Sequence, residues 1–183
     1  VKKLLPVMQK YPDLGVITLD DDIIYHKSLV KGLLNNRTEN PKTIVGYVGK
    51  AMVKNENQLH MYYREKNAAN KKTPSSQVYL IGWGGIYYPA GSLHEKAFNE
   101  DEVRRIVPGR GSDIWFWAAA LANNTNQICL GLPEDYNLGV PIPQNDKTKP
   151  KDRPKTDVLL ERFQLAIDYF EVREKLLKLL PNK

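Results

Sequence analysis

Three consecutive carboxylates, Asp20, Asp21 and Asp22, close the apolar stretch GVITL (residues 15–19), and a second apolar group, IIY, follows them. Like charges placed side by side repel, so this turn is either solvated or faced by something cationic. Asp20 and Asp22, one residue apart, can converge on a single hard cation where the chain turns. Oxygen-only ligation of that kind suits Mg²⁺ or Mn²⁺, which also bind phosphate oxygens. The alternative is an acidic turn in water.

Two further stretches carry chemical potential. In QVYLIGWGGIYYPAG, Gly82, Gly84 and Gly85 interrupt a strand-like run. Glycine there signals a bulge or a close approach of backbone to a ligand. The neighbouring Trp83, Tyr87 and Tyr88 either stack on sugar rings or fill a core. Asp113 follows Gly109, Gly111 and Ser112 and opens the run DIWFWAAAL. A carboxylate at that place is either an N-cap or a general base held at a pocket rim by a buried helix. His26, His60 and His94 read as surface or capping residues. Asp146 is no more than a late-sequence contact, and Cys129, in the apolar QICLGL, reads as a buried inert thiol.

These residues need elements to hold them. KKLLPVMQK predicts a short N-terminal helix with Pro6 in its first turn. GVITL reads as a fully buried strand, KSLVKGLLNN as a helix, and TIVGYVG as a second strand. Residues 50–76, rich in Asn and Lys, predict a long loop or insertion. SLHEKAF matches a capping box, with Ser92 as N-cap and Glu95 three residues on. NEDEVRRIV predicts another short helix, DIWFWAAALANN a buried one, and NQICLGL a last strand. The proline-rich 131–155 predicts an irregular segment, and 157–180 one long amphipathic helix. Alternating helix and strand implies a single α/β domain with a largely parallel sheet. Ligands of such sheets bind beyond the carboxyl ends of the strands, where the aspartates sit. About four strands make a thin sheet, so part of the domain is expected upstream of Val1.

The 183 residues suffice for one domain with a core, and 27 basic against 21 acidic residues leave a net charge of +6. The basic residues are scattered, without finger spacing or a basic helical stripe, which argues against nucleic acid. No apolar run approaches the ~18 residues of a membrane span. A single cysteine excludes an internal disulfide framework and fits a reducing compartment.

Taken together, ITLDDDIIY, GWGGIYYPAGSLHEKAFNE and SDIWFWAAALAN, in that order and spacing, resemble a family of bacterial GT-A-type glycosyltransferases. These act in lipopolysaccharide, capsule and other surface-polysaccharide pathways. The likeness continues into QNDKTKPKDRPKTDVLLERFQLAIDYF, similar to the family's closing Asn-Asp and helix, and omits only the insertion at 50–76. Members usually begin with a further N-terminal stretch holding the first strands and much of the nucleoside pocket. The resemblance therefore implies the C-terminal part of such an enzyme, or a shortened relative.

The resemblance also implies roles. Asp20 and Asp22 become the ends of the family's DxD, Asp22 the direct ligand of Mn²⁺ or Mg²⁺ and Asp20 nearer the nucleotide ribose, with Asp21 beside them. Gly84 and Gly85 floor the donor–acceptor pocket. Asp113 matches the second aspartate of Asp-Asp-Ile-Trp and becomes the base, while Ser112 replaces the first. Trp83 stands where a smaller residue is expected, implying a different acceptor preference. The implied donor is a nucleotide-sugar of the UDP class and the acceptor a saccharide or lipid-linked hydroxyl. The implied place is the cytoplasm, at the inner face of the membrane or free of it, as a monomer or oligomer.

Two other readings compete. A strand ending in DxD resembles haloacid-dehalogenase phosphatases, but that family wants Thr or Val two places after the second Asp, and Ile24 stands there. Alternatively, the chain is a non-catalytic metal- or sugar-binding remnant, or an interaction module using its C-terminal helix. With Arg173, Lys175 and Lys178 among its leucines, that helix either lies on an anionic membrane or packs on the sheet.

Overall fold

The computed structural model describes residues 3–39, 41–55, 58–60, 74–131, 139–143 and 156–180. Among them the chain is mixed α/β, with six α-helices around a small four-stranded sheet. The sheet holds β1 (Val16–Thr18), β8 (Ile86–Tyr88), β3 (Ile44–Gly46) and β9 (Gln127–Cys129), in that spatial order. β8 is antiparallel to both β1 and β3, and β3 is parallel to β9. The largely parallel sheet expected from the sequence is thus a mixed one. Before β8 the chain reverses through a tight 3₁₀ turn, Gly82–Gly84, and among the described residues between β3 and β8 there is no crossover helix to restore a parallel direction.

Among the described residues β1 lies at the edge with a partner on one side only, and its three residues are half-buried where full burial was expected. Three two-stranded ribbons surround this sheet. β2 (Ile23–Tyr25) pairs with β10 (Gly139–Pro141), β4 (Gly49–Ala51) with β7 (Val78–Leu80), and β5 (Val53–Asn55) with β6 (Gln58–His60). Part of the predicted 50–76 loop and of the proline-rich segment is therefore strand; residues 61–73 and Asp146 lie outside the described residues.

The helices follow their sequence signals with two exceptions. α1 (Leu5–Lys10) carries Pro6 in its first turn, where a missing N–H costs nothing. α2 (Leu29–Glu39) covers one side of the sheet through Leu29 and Leu33, which pack with Val45, Tyr47 and Tyr87. α3 (Glu100–Ile106) is capped by the Asn99 side chain and has acids in its first turn and arginines in its last, each sign at the end its dipole favours. α4 (Ser112–Ala122) buries every residue from Ile114 to Leu121, as an all-apolar helix must.

The first exception is SLHEKAF. It forms only a 3₁₀ turn, Glu95–Phe98, capped by His94 and not by Ser92. Ser92 is buried and its hydroxyl has no hydrogen-bond partner among the described residues.

The second exception is the C-terminal helix, which breaks into α5 (Thr156–Tyr169) and α6 (Arg173–Leu179). Glu171 takes a left-handed φ of 58°, and the turn lets Phe170 and Val172 on either side both be buried. The apolar face is covered by α4: Trp117 stacks on Phe163 at 5.5 Å and Trp115 on Tyr169 at 5.3 Å. No described helix is long and apolar enough to cross a membrane.

Candidate active site

The β1–β8 register explains how the acidic turn and the glycine turn meet. Thr18 is paired with Ile86, and the two strands run in opposite directions. The residues just after β1 therefore lie beside those just before β8. Asp20 and the 82–85 turn become neighbours although far apart in sequence.

Tyr25 ties the two turns together. The Asp20 N–H donates to the Tyr25 hydroxyl at 2.9 Å, and that hydroxyl donates to the Trp83 carbonyl at 2.9 Å. Burial raises the Tyr25 pKa, opposed by the Asp20 N–H and assisted by the Asp20 charge. The phenol therefore keeps the proton it donates.

On the other side of the glycine turn stands Asp113, in the first turn of α4 but not capping it; Gly111, at φ 103°, is the N-cap. Its Oδ2 accepts from the Gly82 N–H at 3.1 Å. A Cβ on residue 82 would sit 2.9 Å from Oδ1, so only glycine admits the carboxylate this close. Burial pushes the Asp113 carboxyl above the usual aspartate range, against the pull of the Gly82 N–H. The charge of Asp20 pushes the same way, and Lys50 opposes it. Tyr88 beside it is buried, and its hydroxyl is raised well above the ordinary tyrosine value by burial and then by Asp113.

Asp20, Gly82, Tyr88 and Asp113 open onto one cavity of about 680 Å³. Thr18 and Ser112 add hydroxyls to this polar side, and Lys3 and Arg104 add cations. The rest of the wall is apolar: Leu4 and Leu5 at the start of α1, Val103 and Val107 at α3, and Phe116 of α4. Arg104 is engaged by Glu100 at 2.6 Å.

Lys3 is the cation beside the acidic turn. Its Nζ lies 2.9 Å from Asp20 Oδ1, 3.6 Å from Asp21 Oδ1 and donates to the Leu19 carbonyl at 3.1 Å. Burial works against the ammonium, yet Asp20 and Asp21 together hold its pKa above the ordinary lysine value. The pair is substantially exposed, so it stabilises the fold by under about 1 kcal/mol.

The other expected residues fall elsewhere. Asp21 is 96% exposed and Asp22 is exposed at the tip of the turn, its carbonyl accepting from the Ile142 N–H at 2.8 Å. Gly84 and Gly85 are buried against Val48 and against Leu19 and Leu29, and the residue of their turn that lines the cavity is Gly82. Trp83 is 43% exposed and outside the cavity wall. Tyr87 is core. His94 caps a turn and His26 Nδ1 meets the Ser28 hydroxyl at 2.7 Å.

Asp20 and Asp22 both carry the hard carboxylate oxygens that a Mg²⁺- or Mn²⁺-class ion takes, but of the two only Asp20 lines the cavity, with Asp22 exposed at the tip of the turn. Among the described residues no group of three or more His, Cys, Asp or Glu converges, so such an ion would depend on its substrate for ligands. It would also compete with Lys3 for Asp20.

Sequence reasoning missed Lys3 and Tyr25 as site residues, and it placed Gly84 and Gly85, not Gly82, at the pocket floor. Only Gly82 left a signal, as one of the glycines interrupting a strand. No protein-family model matches the chain, and no curated protein or solved structure matches it at a significant level.

Proposed function

We propose that the chain is a GT-A-type glycosyltransferase, moving a sugar from a nucleotide-sugar, of the UDP class, to an acceptor hydroxyl in bacterial surface-polysaccharide assembly. The observation that supports this reading is the convergence of Asp20 and Asp113, from distant parts of the chain, on one cavity.

An acceptor hydroxyl is about as weak an acid as water and needs a positioned base. Asp113 is suited to that work. One carboxylate oxygen is fixed by Gly82, and burial raises its proton affinity above that of a free aspartate. In the proposed reaction Asp113 takes the hydroxyl proton as the oxygen bonds to the anomeric carbon and the nucleoside diphosphate leaves. Attack from the face opposite the leaving group makes the displacement inverting. Asp20 and Asp22 would hold a divalent cation, whose chemistry when bound is to stabilise charge on the departing diphosphate. The apolar wall of Leu4, Leu5, Val103 and Phe116 favours an acceptor with an apolar body, such as a lipid-linked one, at the cytoplasmic face of a membrane.

A second reading, a non-catalytic binding remnant of such an enzyme, is favoured by the Lys3 ammonium on Asp20. Calorimetric titration with Mn²⁺ and a panel of nucleotide-sugars decides between them. Saturable donor binding followed by transfer supports the enzyme; no nucleotide binding leaves the remnant.

A further inference from the structure

We propose that Tyr25 is a positioning residue, its hydroxyl the strut that locks the acidic turn at Asp20 to the glycine turn that holds Asp113. As a role in transfer this rests on the reading above; the mechanical link does not.

The hydroxyl accepts one bond from the Asp20 N–H and spends its only proton on the Trp83 carbonyl, both at 2.9 Å. Two peptide units away, the Gly82 N–H holds Asp113 Oδ2 at 3.1 Å. The turn between them moves as a piece. The Gly84 N–H donates to the Ile81 carbonyl and the Gly85 N–H to the Gly82 carbonyl, each at 3.1 Å. A shift at the Trp83 carbonyl therefore reaches Gly82.

Packing does not make the strut redundant. Gly84 and Gly85 are wedged against Val48, Leu19 and Leu29, but that secures the far limb of the turn. The near limb is anchored at its start by the Ile81 N–H on the Val48 carbonyl at 2.9 Å; beyond that it has an exposed indole at Trp83 and the polar contacts with Tyr25 and Asp113. The side chain of Asp20 is held by an exposed ion pair, a weak anchor, which leaves its N–H bond to Tyr25 as the firmer one. Tyr25 is itself seated, through β2 pairing with β10 and its ring against the Leu29–Leu33 cluster.

Amide hydrogen exchange tests the link directly, in the unmodified chain, Tyr25→Phe and Asp113→Ala. Tyr25→Phe removes one oxygen and should fold. The Asp20 amide should then exchange about tenfold faster, the size of one lost hydrogen bond. The decisive amide is Gly82, which does not touch Tyr25; it should also speed up several-fold. In Asp113→Ala the coupling should run backwards, with Gly82 and then Asp20 losing protection. A Gly82 amide equally protected with and without the Tyr25 hydroxyl would overturn the strut. Where donor binding and transfer are found, Tyr25→Phe should lower kcat about tenfold, and an unchanged kcat overturns the positioning role. A chain that binds no nucleotide-sugar sinks the transferase reading instead, and the exchange experiment still decides the strut.

Discussion

Gly82 and Asp113 are a matched pair: the N–H of one donates to the carboxylate of the other at 3.1 Å, and a side chain on the first would stand 2.9 Å from that carboxylate. Gly82→Ala should therefore dislodge Asp113 and cost about 1–3 kcal/mol by overpacking. Gly84→Ala meets Val48 Cβ at 2.7 Å and its backbone nitrogen at 3.0 Å, and should destabilise at least as much. Urea denaturation of both variants, with Asp113 watched by carboxyl NMR, should show a perturbed Asp113 only in the first.

Asp113→Asn keeps an oxygen for the Gly82 N–H but has no base to offer. Transfer should vanish while donor binding and folding persist, and undiminished turnover would remove Asp113 from the mechanism. The pH dependence has a definite sign. The folded-state pKa is raised, so the native state binds more protons than the unfolded one between the two values, and ionisation above them costs stability. Thermal unfolding at pH 7 should find Asp113→Asn more stable than the parent, the gap closing as pH falls into the acid range.

Lys3→Met deletes the cation that meets Asp20. The fold should lose under about 1 kcal/mol, because the ion pair is exposed and screened. Since the lysine pKa is raised, whatever the pair contributes is present at neutral pH and disappears as pH climbs through the folded-state value. Mn²⁺ affinity, read by calorimetry, should rise in the variant; weaker binding would mean that Lys3 does not compete.

The apolar wall sets an expectation for acceptors. Along a series from methyl to hexyl glycoside, affinity should grow by about fourfold for each methylene buried, the equivalent of ~0.8 kcal/mol. Flat affinity along the series would show that the chain lies outside the cavity.

Phe163→Ala distinguishes a core helix from a membrane-lying one. Phe163 is fully buried and stacked on Trp117, so its loss should cost about 3–5 kcal/mol in solution, without any lipid. A helix resting on a bilayer would lose almost nothing in that measurement.

Local signals carried far along this chain. Pro6 in a first turn, the stretch NEDEVRRIV, and an unbroken apolar run from Ile114 to Leu121 each foretold an observed helix, because such signals act over a few residues. Ser92 misled: a capping box needs its serine at the end of a helix, and here the chain has turned at Gly91, buried Ser92 and left the cap to His94. The long terminal helix misled for a similar reason. Its amphipathic period runs through Glu171, but burying both Phe170 and Val172 required a left-handed residue between them.

What the residues themselves determined is the existence of an acidic turn after a short apolar strand, a glycine turn before another, and a carboxylate opening a buried helix. Tertiary structure alone decided that Asp20 and not Asp21 faces the cavity, that Gly82 and not Gly84 receives Asp113, and that Lys3 and Tyr25 belong with them. The reason is the antiparallel register of Thr18 against Ile86, a pairing between distant segments that no local propensity encodes.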